Sequence, residues 1–565
     1  MRSPARRDKP RDRPRDTPTQ ADPEPAVAPN VSAPPDPPVS PPAPPPGTSP
    51  GTSPGAPPGA PPGAPPGAPP GASTSARVAK GTAWVIAWRL ASRNVGLVST
   101  LILVRLLEPS DFGLIAIATG VIASVDALSA IGVQDALIRD RNRDRALYDT
   151  GFALSLVRGV ITAVLIALLA WPAANFFNEP RLAVVFLALA VGVLVSSAEN
   201  IGIVDFRRDL DFRKEFDLQF RTRLIGVAVT VGTALIWHSY WALVAGLLAS
   251  RVVRLIMTYT MSDYRPRLSL KAWNRIAGFS AWSWLVGILA RIEEQANNVV
   301  TGHYLGTQAA GMLSIGTEIG RLPTTELLEP LNRALFPGFA EALEAKATKT
   351  ALFLETIGLG VLVALPAGFG ISLVAHPMVN VTLGARWDQV VPLIEIIAPV
   401  TTASIFGIVG VTLLVAQGLM RQIVAITAAA AVSRVALLIV GITMYGLVGA
   451  AVAAGLSLLI MQGVVLRLTL HRVGLSFAAL GSRLWRPVVA VGAMVAVMHA
   501  CGMAWAPATS PDLLPSLLDL CERSAVGVVV YVAAAAGLWV LSGRPDGAER
   551  HVLNSAAKVM RRLRR

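Results

Sequence analysis

Cysteine is nearly absent, with two residues in 565, and this excludes a disulfide-dense secreted scaffold. Six scattered histidines, without Cys or His pairs at ligand spacing, argue against a structural zinc site, so no metal is expected. Charge is scarce as well: 15% of residues are Asp, Glu, Lys or Arg, where soluble domains carry about 25%. Neither a Walker loop nor a GxSxG elbow occurs, and the external loops set by the topology below are too short for a separate catalytic domain. The chain is therefore not read as an enzyme, and no cofactor is expected beyond a coupling ion, Na⁺ or H⁺.

What the chain has in excess is apolar surface. Apolar residues make up 53%, mean hydropathy is +0.53, and residues 1–80 hold almost no large apolar side chains, so the remainder is richer still. This composition predicts an integral membrane protein.

Residues 1–16 hold seven Lys or Arg against three Asp, and residues 55–72 repeat Gly-Ala-Pro-Pro with a period of four. Collagen needs glycine at every third position, which this lacks. Too few large side chains are present to offset chain entropy, so residues 1–80 are predicted to be a disordered, polyproline-biased cytoplasmic tail. The segment is also too long and proline-rich for the start of a cleaved signal peptide.

From Thr82 onward, fourteen apolar runs follow, each of about 20 residues and able to cross the hydrocarbon as a helix. Loop charge tests that count. With the N-terminus inside, cytoplasmic segments collect 38 of the 50 Lys and Arg, including Arg139, Arg141, Arg143 and Arg145 and the tail Arg561, Arg562, Arg564 and Arg565. External loops hold only Arg105, Arg181, Arg386 and Arg523. This asymmetry places both termini in the cytoplasm and assigns the net charge of +14 to topology and anionic lipid rather than nucleic acid. Phe212, Phe216 and Phe220, among basic residues, fit either a short interfacial helix or an extension of the fifth span.

Aligned with itself at an offset of 198, the chain pairs Trp84 with Trp282, Arg93 with Arg291, Leu107 with Leu305 and Gly113 with Gly311. An offset of six helices preserves direction, so the two halves are read as parallel repeats about an axis along the membrane normal. The predicted fold is all-α and integral to the membrane. It comprises an N-lobe over 81–265, a C-lobe over 266–470, two further helices over 471–545 and a basic cytoplasmic tail over 546–565.

Arg89, Arg93, Arg158, Arg251, Arg254, Arg291, Arg321 and Arg434 lie inside the runs, each costing about 2.5–3.5 kcal/mol if it met lipid at the centre. They must face protein, water or an anion, and a cationic cavity is expected. Arg89 and Arg93, with Asn94, share a helix without an acidic neighbour and suit a phosphate; the opposing reading of Arg89 is snorkelling to the surface. Arg291 with Glu294, and Glu318 with Arg321, are three apart and able to pair along one face. The binding candidates are thus Arg89, Arg93, Asn94, Arg251, Arg291, Asn297, Asn298, Arg321 and Arg434, the asparagines suiting sugar hydroxyls or interhelical bonds. Coupling-ion candidates are Asp126, Glu293, Glu294 and Glu318. With Glu326 these make five acids against eight arginines.

Asn380-Val-Thr382 matches a short glycosylation pattern of low specificity. Cys501 and Cys521 fall near the same ends of the last two runs, where an oxidising compartment would allow a bridge.

Leu106–Val121, LLEPSDFGLIAIATGV, resembles the turn between the first two helices of the polysaccharide transporter (oligosaccharide flippase) family of the multidrug/oligosaccharidyl-lipid/polysaccharide exporter superfamily. RRDLDFRKEF at Arg207–Phe216, LNRALFPGFA at Leu331–Ala340, VPLIEIIAP at Val391–Pro399 and LLVAQGLMR at Leu413–Arg421 resemble the same family, over about residues 80–500. The resemblance implies a bacterial inner-membrane carrier that turns an undecaprenyl-diphosphate-linked oligosaccharide outward for exopolysaccharide, lipopolysaccharide O-antigen or capsule assembly, with polymerase and glycosyltransferases as partners. The long proline-rich N-terminus departs from the family pattern. Rival readings are a peptidoglycan-precursor flippase or a drug/cation antiporter of the same superfamily, a membrane-embedded polymerase, and a scaffold acting through the tail.

Overall fold

The computed structural model describes residues 95, 96, 98–129, 133, 137, 144–209, 211–273, 281–328, 346–507, 512–545 and 547–550. The tail over 1–80, Arg89, Arg93 and Asn94 lie outside the described residues. All secondary structure among those described is helical.

A helical run over 98–106 leads into α1 (Pro109–Leu128). Proline at the first position needs no amide partner, and Glu108 and Asp111 cap each other's backbone amides, so the sequence fixes this start locally. The helices α2 (Arg145–Phe176), α3 (Arg181–Ser197), α4 (Val204–Arg208), α5 (Phe212–Trp237) and α6 (Trp241–Met261) complete the first half. Phe216 and Phe220 stack within the continuous α5, so this stretch extends the fifth span rather than forming a separate interfacial helix.

The second half contains α7 (Ala281–Gly320), α8 (Lys346–Leu373), α9 (Ala375–Thr382), α10 (Val391–Thr401), α11 (Ser404–Ala416) and α12 (Met420–Val473). Then follow α13 (Phe477–Ala500) and α14 (Leu513–Leu541). At 1.5 Å per residue, a straight α12 of 54 residues would far exceed any bilayer. It reverses instead at Gly446, whose positive φ of 58° suits glycine, and Gly441 packs directly on Gly449. Helix α7 is likewise broken at Gly306.

Eight helices among the described residues are long and apolar enough to cross a membrane, and two bent pairs raise this to ten. The bends are 65° between α3 and the residues through Arg208, and 40° between α10 and α11. The chain is a multi-pass membrane protein. Its apolar outer face, carrying Leu168, Trp171, Val432 and Tyr445, is that of a lipid-contacting surface.

One buried cluster joins α7, α9, α10 and α12 and is anchored by the fully buried Trp387. Another joins α1, α2 and α3. The segment after α6, residues 262–273, has no regular secondary structure up to a turn at 271–272 and is tied to α2: Arg267 N donates to Asp149 Oδ1 (2.9 Å), Ala272 N to Thr150 Oγ1 (3.1 Å), and Tyr264 Oη to Asp149 Oδ1.

Candidate functional site

The two halves meet at the end that carries the 105–108, 177–181, 303–306 and 384 turns. Here α1 lies against α7 with Gly113 facing Gly311. Trp387 Nε1 donates to the Val104 carbonyl (3.3 Å) and its ring meets Phe112 edge-on, with centroids 5.5 Å apart. Arg105 Nη2 donates to the carbonyls of Val381 (2.7 Å) and Asn380 (3.3 Å), satisfying the last turn of α9. His303 stacks on Phe176 and its Nδ1 lies 2.8 Å from the Phe176 carbonyl oxygen. Thr307 Oγ1 donates to Glu179 Oε2 (3.4 Å), while Arg181 binds both oxygens of that carboxylate at 2.8 and 2.9 Å. Those bonds hold the Glu179 carboxyl below its ordinary value, against the opposing pull of burial.

Inside the helices, charged groups form two separate clusters. In the first half, Arg158 pairs with Asp126 and its Nε donates to Ser129 Oγ (3.3 Å), which is bonded in turn to Thr162 (2.9 Å). Arg254 pairs with Glu199 at 2.8 Å. Arg251 donates to the Leu189 carbonyl at 3.4 Å and stands within electrostatic reach of Asp126 and Glu199.

In the second half, Arg434 on α12 is only 8% exposed. Its Nη2 lies 3.1 Å from Glu293 Oε1, its Nη1 donates to Asn297 Oδ1 (3.3 Å), and its Nε makes no hydrogen bond. Arg291 pairs with Glu294 at 2.8 Å, and both side chains are about half exposed. Asn298 is half-buried and Glu318 exposed on the same helix.

Arg321 is different. It is exposed where α7 ends at Gly320, immediately before a π-helical turn, Thr324–Leu328, of a kind common at functional sites. This break sits on the bend between α10 and α11: Thr324 Oγ1 donates to the Thr401 carbonyl and Thr401 Oγ1 to the Gly320 carbonyl, each at 2.9 Å. Arg321 is within electrostatic reach of Arg434. Broken helices side by side, with polar groups at the joint, are the usual form of a carrier's binding site.

The arginines are not a bare cationic lining, because Arg158, Arg254, Arg291 and Arg434 each hold a carboxylate; among the described residues only Arg251 and Arg321 of the eight stand without one in contact. The low local dielectric makes such pairing necessary for buried guanidiniums. The acid count is also too low, since Glu199, Glu329, Glu355 and Glu395 fall inside the fourth, eighth, ninth and tenth runs, each legible by position alone. Cys501 and Cys521 are both free and exposed, with no bridge between them. Asn380, the glycosylation candidate, donates through its amide to Ser516 Oγ (2.8 Å).

Among known proteins, the chain is 27% identical over 305 residues to the succinoglycan biosynthesis transport protein ExoT of Rhizobium meliloti, covering 53% of this chain and 61% of that protein. It is 24% identical over 310 residues to the lipopolysaccharide biosynthesis protein WzxC of Escherichia coli, covering 54% of this chain and 63% of that one. The chain thus spans less than two thirds of the length of these curated relatives. In fold it is similar to the lipid II flippase MurJ in an inward closed conformation (12% identity, TM-score 0.62, covering 80% of this chain and 99% of that one). It is also similar to an inward-facing multidrug resistance MATE transporter of the MOP superfamily (16% identity, TM-score 0.56, covering 70% and 95%). A family profile described as "Polysaccharide biosynthesis protein" matches residues 102–392, more than half of the sequence. The chain belongs to the polysaccharide biosynthesis protein family.

Proposed function

We propose that this protein is an alternating-access carrier that moves an undecaprenyl-diphosphate-linked oligosaccharide across the bacterial inner membrane for exopolysaccharide, O-antigen or capsule assembly. The observation that carries the reading is Arg321, exposed at the joint of two broken helices beside the buried Arg434, in a chain of this family.

The closed end carries Arg105, Arg181 and Arg386, few basic groups beside the opposite end, and is assigned to the external side with both termini in the cytoplasm. In that orientation the contact of Gly113 with Gly311 lies toward the external side. The lipid diphosphate enters from the cytoplasm and is taken by Arg251 and Arg321, with Arg89 and Arg93 contributing from the first helix. A diphosphate also competes with carboxylates for the paired arginines, because multidentate guanidinium–phosphate bonding matches what Asp126 and Glu294 supply. Carboxylates released in this way take up H⁺ or Na⁺ and so couple transport to an ion gradient. Asn297 and Asn298 meet sugar hydroxyls. Polymerase and glycosyltransferases act before and after the transfer as partners.

The test is Arg89→Ala, Arg93→Ala and Arg321→Ala, each in a strain that depends on this gene. Polymer export should fall and lipid-linked oligosaccharide accumulate, while protein level and insertion stay normal. Normal export by all three overturns the site. Deleting residues 1–75 should leave export largely intact, whereas a scaffold would fail.

A further inference from the structure

Two titratable groups that the transport site leaves unused face each other in the second half. Glu395 stands on α10 and His376 on α9, with His376 Nε2 3.6 Å from Glu395 Oε1. That oxygen is shut off from solvent and makes no hydrogen bond. A carboxylate oxygen buried without a donor is costly unless a proton or a cation meets it. Among the described residues no other charge reaches Glu395: α7 and α12 meet α10 through Gly316, Gly320 and Gly455, and α8 offers Ser372 Oγ, which donates to the Glu395 carbonyl.

His376 is the more open of the two, its side chain 36% exposed against 23%, so a proton reaches the pair through the imidazole. Burial holds that imidazole below its ordinary value; Asp388, on the turn before α10, opposes the shift, and Arg523, on α14 and paired with Asp519, adds to it. The ring is thus suited to passing a proton on.

The supports of the pair show what it controls. Helix α9 ends in the Asn380 and Val381 carbonyls that hold Arg105, and the turn leading into α10 carries Trp387, which holds the Val104 carbonyl. Both grips on the first half therefore hang on the two elements that the pair joins. Sharing one proton, as imidazolium with carboxylate or as imidazole with carboxylic acid, the two groups attract and draw α9 toward α10. Without it a carboxylate faces a neutral ring, and the contact loosens as water is drawn in.

We propose that Glu395 and His376 form a proton-binding site, loaded from the end assigned to the external side, and that the bound proton keeps both grips in place. The site is separate from Arg321, and only its effect on export rests on the carrier reading.

The test uses the full chain in detergent, without substrate, carrying Cys501→Ser, Cys521→Ser and Leu305→Cys at the end where the halves meet. Labelling by an impermeant maleimide is measured at several pH values, and each rate is divided by that of the denatured chain at the same pH, which cancels the thiol's own ionisation. The ratio should rise several-fold from mildly acidic to mildly alkaline pH. Glu395→Gln, whose amide replaces the acid as donor to the imidazole, should stay at the slow acidic level throughout. Glu395→Asp, which keeps a carboxyl, and His376→Gln, which removes its partner, should respond at a displaced pH. A flat ratio in the parent chain, a pH response that survives in Glu395→Gln, or an undisplaced response in the other two variants overturns the site. Because no substrate is present, failure here leaves the Arg321→Ala test standing, and normal export by Arg321→Ala leaves this result standing.

Discussion

Gly113 and Gly311 occupy the space each other's side chain would need: a Cβ on Gly113 would lie 1.7 Å from the Thr307 carbonyl oxygen, and one on Gly311 1.9 Å from that of Pro109. Residues 109 and 307, like 113 and 311, are 198 apart, so the contact is reciprocal across the sequence offset. Both obstacles are backbone and cannot rotate aside. Gly113→Ala should therefore pry apart the end where the halves meet, at a strain of about 1–3 kcal/mol. In a background with Cys501 and Cys521 changed to Ser, Leu305→Cys should react several-fold faster with an impermeant maleimide when Gly113→Ala is added. An unchanged rate would show that this contact does not hold the closed end.

The buried Arg434–Glu293 pair yields a stability prediction. Arg434→Met leaves Glu293 without its cation, at a cost of about 3–5 kcal/mol, and should lower Tm in detergent by several degrees. Arg434→Met with Glu293→Leu should recover most of that loss, because the desolvation of both charges disappears together. Export by the double variant separates roles: recovery of Tm without recovery of export assigns Arg434 to the substrate, and recovery of both assigns it to structure.

Several features of this fold are legible in the sequence because they rest on local chemistry. Glu108, Pro109 and Asp111 announce a helix start, and Gly446 is the first residue of the twelfth apolar run, 446–467, just beyond the end of the eleventh at 443. Gly113 and Gly311 are paired by the offset of 198, and the structure places them in contact. What sequence does not carry is which charge finds which partner. Arg291 with Glu294 lies within one helical turn and was expected, whereas Arg158 reaches Asp126, 32 residues away, and Arg434 reaches Glu293 from another helix. The joint at Arg321 was hidden for the same reason: its π turn is stabilised by Thr401, distant in sequence.

Glu179 gives a pH dependence whose sign follows from its lowered carboxyl value. The stabilisation is present above the unfolded carboxylate value of about 4.3 and is lost as pH falls through the lower folded value. Arg181 is partly solvated, so the effect is small, about 0.5 kcal/mol. The Tm difference between wild type and Glu179→Gln should be present at neutral pH and shrink toward zero as the medium is acidified below about pH 4. A difference that grows on acidification would reverse the assignment.

The connecting segment over 262–273 follows the first six helices and, among the described residues, its side chains and amides are bound to α2 and to Asn200. Burial, reinforced by its bond to Asp149, pushes the Tyr264 hydroxyl well above its ordinary value, so it stays protonated and keeps donating at every physiological pH. Asn200 Nδ2 donates to the Tyr264 carbonyl at 2.6 Å, fixing the same residue from its other side. The strap should therefore move with α2 through Trp273. In hydrogen exchange, its amides should be protected like those of α2, and Tyr264→Phe should raise their exchange about tenfold by removing a hydrogen bond to a charged acceptor worth roughly 1.5 kcal/mol. Amides at 262–273 that exchange freely in the wild type would place the hinge within the strap itself.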